Sequence, residues 1–116
     1  MSPAGPLTTH VLDTARGRPA VGVPITLELQ TRPDVFEVIA SGQTNADGRL
    51  PGLLAPGALR IGIYRMTFDI TTYEKGNGEL GFYPYAQIVF RVMALDTHYH
   101  VPLLISGYGY STYRGS

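Results

Sequence analysis

The 116-residue chain is 44% hydrophobic and 16% charged, which gives room for one folded domain, residues 1–116, and excludes a disordered polyelectrolyte. Nine basic residues balance nine acidic ones, so no basic field exists to hold a phosphate backbone and no nucleic-acid partner is expected. The absence of cysteine excludes disulfides, thiolate metal ligands and a cysteine nucleophile.

Fourteen glycines and nine prolines interrupt the chain too often for long helices. The runs between them alternate with period two, so the expected class is all-β. Leu7–Asp13 reads as the first strand, followed by a turn at Arg16-Gly17-Arg18-Pro19. In the next run Val23, Ile25, Leu27 and Leu29 point one way, and Pro24, Thr26, Glu28 and Gln30 the other. Phe36–Gln43 is a third strand, closed by the turn Asn45-Ala46-Asp47-Gly48. A short strand is expected at Leu50–Leu54 before the turn at Pro56-Gly57, and a longer one at Ile61–Asp69. Thr71–Lys75 suits one or two helical turns, capped by Thr71 or Thr72 and stopped by Gly76. Gln87–Ala94, His98–Ile105 and Tyr108–Arg114 complete about eight strands, a number suited to a two-sheet sandwich. In the seventh, Val101, Leu103 and Ile105 form the inward face. His98, His100, Pro102 and Leu104 then look outward.

Met1–Pro6 has neither the basic nor the apolar region of a signal peptide, and Arg114-Gly115-Ser116 is not a peroxisomal signal. No apolar run approaches the roughly 20 residues that span a bilayer. A cytoplasmic location without a membrane partner is therefore expected. The charge content is well under the usual quarter, which suggests a surface partly covered by other subunits.

Gly76-Asn77-Gly78-Glu79-Leu80-Gly81 spells GxGxxG, but a dinucleotide site needs a strand before it and a helix after it. A loop is expected instead. No GxSxG nucleophile elbow occurs. The three histidines are His10, His98 and His100. His98 and His100 leave one strand on the same face, and His10 shares a face with Thr8 and Leu12. Spacing alone leaves three readings open: polar surface, acid–base chemistry and a three-histidine zinc site. Arg49, at the end of a turn, is either a solvated cation or a fork for an anionic, carbonyl-rich substrate. The aromatic run Tyr108–Tyr113 joins the tail directly, so the tail is expected to be docked rather than frayed.

Leu7-Thr8-Thr9-His10-Val11-Leu12-Asp13, with Gly17 and Pro19-Ala20, resembles the opening signature of the transthyretin-like proteins. His98-Tyr99-His100-Val101-Pro102-Leu103-Leu104-Ile105-Ser106 resembles their second signature. Tyr110-Ser111-Thr112-Tyr113-Arg114-Gly115-Ser116 is similar to the terminal signature of the enzyme branch, the 5-hydroxyisourate hydrolases. Asp47-Gly48-Arg49 and Phe82-Tyr83-Pro84 fall in the corresponding places, so the resemblance spans the chain. Gly107, where the family usually has proline, and the glycine-rich 76–81 loop are the departures.

The resemblance implies a transthyretin-like sandwich of two four-stranded sheets with one short helix, assembled as a homotetramer, a dimer of dimers with an axial channel. It implies hydrolysis of 5-hydroxyisourate in urate catabolism. His10, Arg49, His100 and Ser116 would form the catalytic set. His10, Arg49, Tyr113 and Arg114 would hold substrate, and His98 would be a neighbour. No metal or cofactor is implied. The alternative is a carrier that binds a small aromatic ligand in the same channel without catalysis; a structural adhesion sandwich would need no such tail.

Overall fold

Alternating side chains force each strand to bury one face, and two such faces close on each other. A computed structural model describes residues 5–116; the expectation on Met1–Ala4 lies outside the described residues. The elements are β1 (Leu7–Asp13), β2 (Arg18–Pro19), β3 (Pro24–Arg32), β4 (Val35–Gln43), β5 (Gly62–Phe68), α1 (Ile70–Gly76), β6 (Ala86–Val92), β7 (Tyr99–Ile105) and β8 (Tyr110–Thr112). One sheet has the order β2-β1-β7-β8 and the other β4-β3-β5-β6. The pairings are antiparallel except β1 with β7, which run parallel.

Leu7, Val11, Val101, Leu103 and Ile105 of the first sheet meet Ile25, Leu27, Tyr64, Met66, Phe68 and Val92 of the second, all buried. Each fully buried apolar side chain of this size contributes roughly 1.5–3 kcal/mol, so this layer holds the sheets together. The inward positions of β1 include Thr9 and Asp13, which must be satisfied. Thr9 donates to the Val101 carbonyl at 2.6 Å. Asp13 accepts the Tyr73 hydroxyl at 2.7 Å and the Arg16 amide at 3.0 Å, tying α1 to the end of β1. Among the described residues no buried side-chain nitrogen or oxygen lacks a partner. None of their helices is long and apolar enough to cross a membrane.

Several elements differ from the sequence expectation. Leu50–Leu54 is not a strand: Pro51 has no N–H to donate, and Gly52 turns the chain at φ +74°. Leu53 and Leu54 nevertheless fill the core. The place of that strand is taken by β2, formed within the expected turn because Arg18 and Pro19 pair with Asp13 and Leu12. The cap of α1 is Asp69, whose carboxylate accepts the Thr72 amide at 3.0 Å and the Thr72 hydroxyl at 2.6 Å. Thr71 is unavailable because its hydroxyl donates to the Pro84 carbonyl at 2.9 Å. Gly76 is the last helical residue and Asn77 the C-cap. The GxGxxG segment thus follows a helix and leads into a loop, without the context of a dinucleotide site.

Strands also stop where their partners stop. β6 ends at Val92 opposite Gly62, which leaves Ala94 outside, and β7 starts at Tyr99 opposite Leu7, which leaves His98 just before it. β8 covers only Tyr110–Thr112 of the expected Tyr108–Arg114. Pro102 explains the break. Leu103↔Thr112 and His100↔Gly115 share one register, and between them Pro102 offers no N–H to the facing strand. Pro102 is also fully buried rather than outward-exposed. On a central strand its small ring is flanked by β1, where His10 stands beside it in the register, and by the tail.

Gly48 shows how tightly one turn is built. It sits at φ +75°, and a Cβ there would collide with the Val11 carbonyl oxygen. Gly48→Ala is expected to destabilise the fold by about 2 kcal/mol. A lower urea midpoint with unchanged slope would show it; an unchanged midpoint would show that the turn relaxes freely.

Candidate active site

The parallel register sets Thr8 beside His100 and His10 beside Pro102. Odd-numbered residues of β1 face the core, so Thr8 and His10 leave the opposite face, where the His100 side chain also emerges. Thr8 Oγ1 lies 2.8 Å from His100 Nδ1 and 2.9 Å from His98 Nε2. The two imidazoles stack, with centroids 6.4 Å apart and planes 18° from parallel. Thr8 was not among the expected site residues. The available signal was its place two residues before His10 on the same face.

Arg49 reaches this face through the Asn45–Arg49 turn. Asn45 Oδ1 accepts the amides of Asp47 at 2.9 Å and Arg49 at 3.1 Å, and Asn45 N–H donates to the Arg49 carbonyl at 2.7 Å. The Val11 amide donates to Gly48 O at 2.8 Å, and Arg49 forms an antiparallel bridge with His10. On the other side the tail closes in. Gly115 N–H donates to the His100 carbonyl at 2.9 Å, and any Cβ on Gly115 would collide with the His100 ring. Only glycine leaves that imidazole its place.

Thr8, Thr9, Asn45, Asp47, Arg49, Leu50, Pro51, His98, His100 and Ser116 line one pocket of about 370 Å³. That size falls in the ordinary range for small-molecule sites. His10 is not among the lining residues; its backbone forms a bridge with Arg49. Tyr113 and Arg114 are not brought to this pocket. They line a second cleft of about 250 Å³ with Ile88, Phe90, Met93, Tyr99 and His100, so His100 borders both spaces. The Arg114 guanidinium lies over the Tyr99 ring at 4.5 Å, and Nη2 donates to the His98 carbonyl at 3.4 Å. Among the described residues no group of three or more His, Asp or Glu is placed to hold a metal ion.

The electrostatics favour neutral imidazoles. Burial holds the His100 pKa below the ordinary histidine value, and Arg49, His98 and His10 lower it further, against a smaller opposing effect of Thr8. Burial and then Arg49 lower His10, opposed by the Asp47 backbone and carboxylate. A neutral imidazole can take a proton from water, and the adjacent guanidinium stays cationic and can face a developing oxyanion.

Known proteins share this arrangement of chain. The model of the HIUase/Transthyretin family matches residues 7–115. The 5-hydroxyisourate hydrolase of Mus musculus is 45% identical over 114 residues, covering 97% of each chain. The structure of Klebsiella pneumoniae 5-hydroxyisourate hydrolase superposes with a TM-score of 0.82 at 36% identity, covering 95% of this chain and 92% of that one. Sea bream transthyretin in complex with thyroxine superposes with a TM-score of 0.89 at 31% identity, covering 95% and 94%. With a family model spanning nearly its whole length and both sheets in common, the chain belongs to the HIUase/Transthyretin family.

Proposed function

We propose that this chain is a hydrolase that opens the ring of 5-hydroxyisourate to 2-oxo-4-hydroxy-4-carboxy-5-ureidoimidazoline in urate catabolism. The observation that carries the reading is one pocket lined by His98, His100, Arg49 and Ser116, in a chain 45% identical to the mouse enzyme of that name. Water adds to a ring carbonyl, the neighbouring C–N bond breaks with a proton going to the nitrogen, and the former carbonyl carbon stays on the product as its carboxylate. His100 and His10 serve as the acid–base pair: one imidazole takes the proton of the attacking water, and a proton returns to the departing ring nitrogen. Arg49 holds the substrate and offsets the negative charge that develops on the carbonyl oxygen. Ser116 orients the water or an imidazole. Tyr113 and Arg114 support the site by holding the tail, and His98 is a neighbour of His100. The reaction needs no metal or cofactor.

The reading includes a cytoplasmic homotetramer, a dimer of dimers. The assembly is supported by the edge strands β6 and β8, at or beside which apolar side chains reach solvent. Val89 of β6 is 58% exposed, and Tyr113, just past β8, and Met93, just past β6, are 59% and 73% exposed. Such apolar edges suit burial against further copies. The carrier alternative draws on the likeness to sea bream transthyretin. Four polar site groups at one pocket speak against it, since a carrier gains little from titratable pairs.

The ultraviolet absorbance of freshly made 5-hydroxyisourate decides between them. Catalytic amounts of the protein should hasten its decay, unaffected by dialysis against a chelator. His100→Ala should lower kcat by about 10²-fold or more. Stoichiometric binding without acceleration would establish the carrier.

The pH profile carries a second expectation. The active imidazoles are neutral, and their pKa values are lowered from 6.5, so they stay neutral through pH 7. Activity should fall only as the pH drops through those lowered values. The acid limb of kcat/KM should therefore lie below 6.5; a limb at or above 6.5 would contradict the desolvated pair.

A further inference from the structure

The Thr8 hydroxyl is held between two ring nitrogens. It carries one hydrogen, yet it lies within hydrogen-bond distance of both His98 Nε2 and His100 Nδ1. If it donates to one nitrogen, it accepts from the other. Only two neutral arrangements satisfy all three groups. In the first, Thr8 donates to His98 Nε2 and accepts from His100 Nδ1–H, so both rings carry their proton on Nδ1. In the second, Thr8 donates to His100 Nδ1 and accepts from His98 Nε2–H, so both rings carry it on Nε2. The tautomers of the two rings are thereby locked together.

We infer that Thr8 and His98 are positioning residues that act through His100, the hydroxyl passing a proton between the two imidazoles. This rests on the hydrolase reading above. In the first arrangement His100 Nε2 is a free lone pair available to water. When that nitrogen takes the water proton, Nδ1 releases its own to the Thr8 oxygen, and the Thr8 hydrogen passes to His98 Nε2. One O–H bond of water breaks, one N–H bond forms on each ring, and one N–H bond breaks on His100. His100 ends neutral and His98 ends as the imidazolium. The charge is moved away from the place where Arg49 and His10 oppose it. The Arg114 guanidinium, over the Tyr99 ring, touches His98 through its backbone carbonyl. The reverse sequence returns a proton to the leaving nitrogen.

The direct test is histidine side-chain ¹⁵N NMR of the uniformly labelled protein above pH 7. His98 and His100 should show the same tautomer, and opposite tautomers would overturn the inference. This measurement needs no turnover, so a failure of the hydrolase reading would leave it standing as a separate result. In the absorbance assay Thr8→Val and His98→Gln should each lower kcat by about tenfold or more, with KM within about twofold. Because both cut one relay, the double variant should lose no more than the worse single one. Thr8→Ser, which keeps the hydroxyl, should stay within about threefold of the unaltered chain. Losses that multiply, or Thr8→Ser as impaired as Thr8→Val, would refute the relay. Circular dichroism reports whether Thr8→Val folds; if it does not, His98→Gln decides alone, and a kcat within about twofold of the unaltered chain refutes it.

Discussion

β1 and β7 lie side by side and run in the same direction, although the whole second sheet lies between them in the chain. Parallel neighbours need a long crossover, and here the crossover is half of the sandwich. The pairing fixes which residue stands beside which. Thr8 meets His100, and from that one step follow the hydroxyl between two imidazoles, the stacking of the rings and the outward direction of His10. A slip of one residue would send these side chains into the core and bring Thr9 and Val101 out. Burial of Leu7, Val11, Val101 and Leu103 opposes that slip, so the apolar face holds the polar one in register.

Two close backbone approaches complete the pocket. Gly48 lets the Arg49 turn press against Val11, and Gly115 lets the tail cross the His100 ring. Neither glycine does chemistry. Gly48 removes a Cβ where Arg49 is carried up to His10, and Gly115 removes one where the tail carries Ser116 past His100. Pro102 plays a related part on the other strand. By withholding one N–H it interrupts the pairing with β8, and the chain re-forms its bridge only at Gly115.

The two-sheet class could be read from Val23–Leu29 and Val101–Ile105, because period-two burial leaves little choice but a half-buried strand. The opposite lesson comes from Leu50–Leu54. It has a strand's hydrophobicity, but Pro51 and Gly52 govern the backbone there, so the leucines reach the core without a ladder. His10 and His100 stand out in the sequence by residue type, whereas Arg49, one of several arginines, is marked as a site residue only by the family resemblance. Thr8 does not stand out, since a threonine in a strand has an ordinary packing reading, and only the register with a segment far along the chain gives it two histidine partners. The cleft beside Tyr113 and Arg114 was likewise hidden: adjacency to Ser116 in sequence says nothing of which side of the tail a side chain takes.

In the proposed site, substrate lies on the Arg49 and Ser116 side of His100. A crystal structure with urate, the planar and stable relative of the substrate, tests this most directly. Urate is expected in the pocket lined by Thr8, Arg49, His100 and Ser116, with a carbonyl oxygen facing the Arg49 guanidinium and the His100 Nε2 edge open to it. Urate in the Tyr99, Tyr113 and Arg114 cleft instead, with the histidine pocket empty, would contradict it.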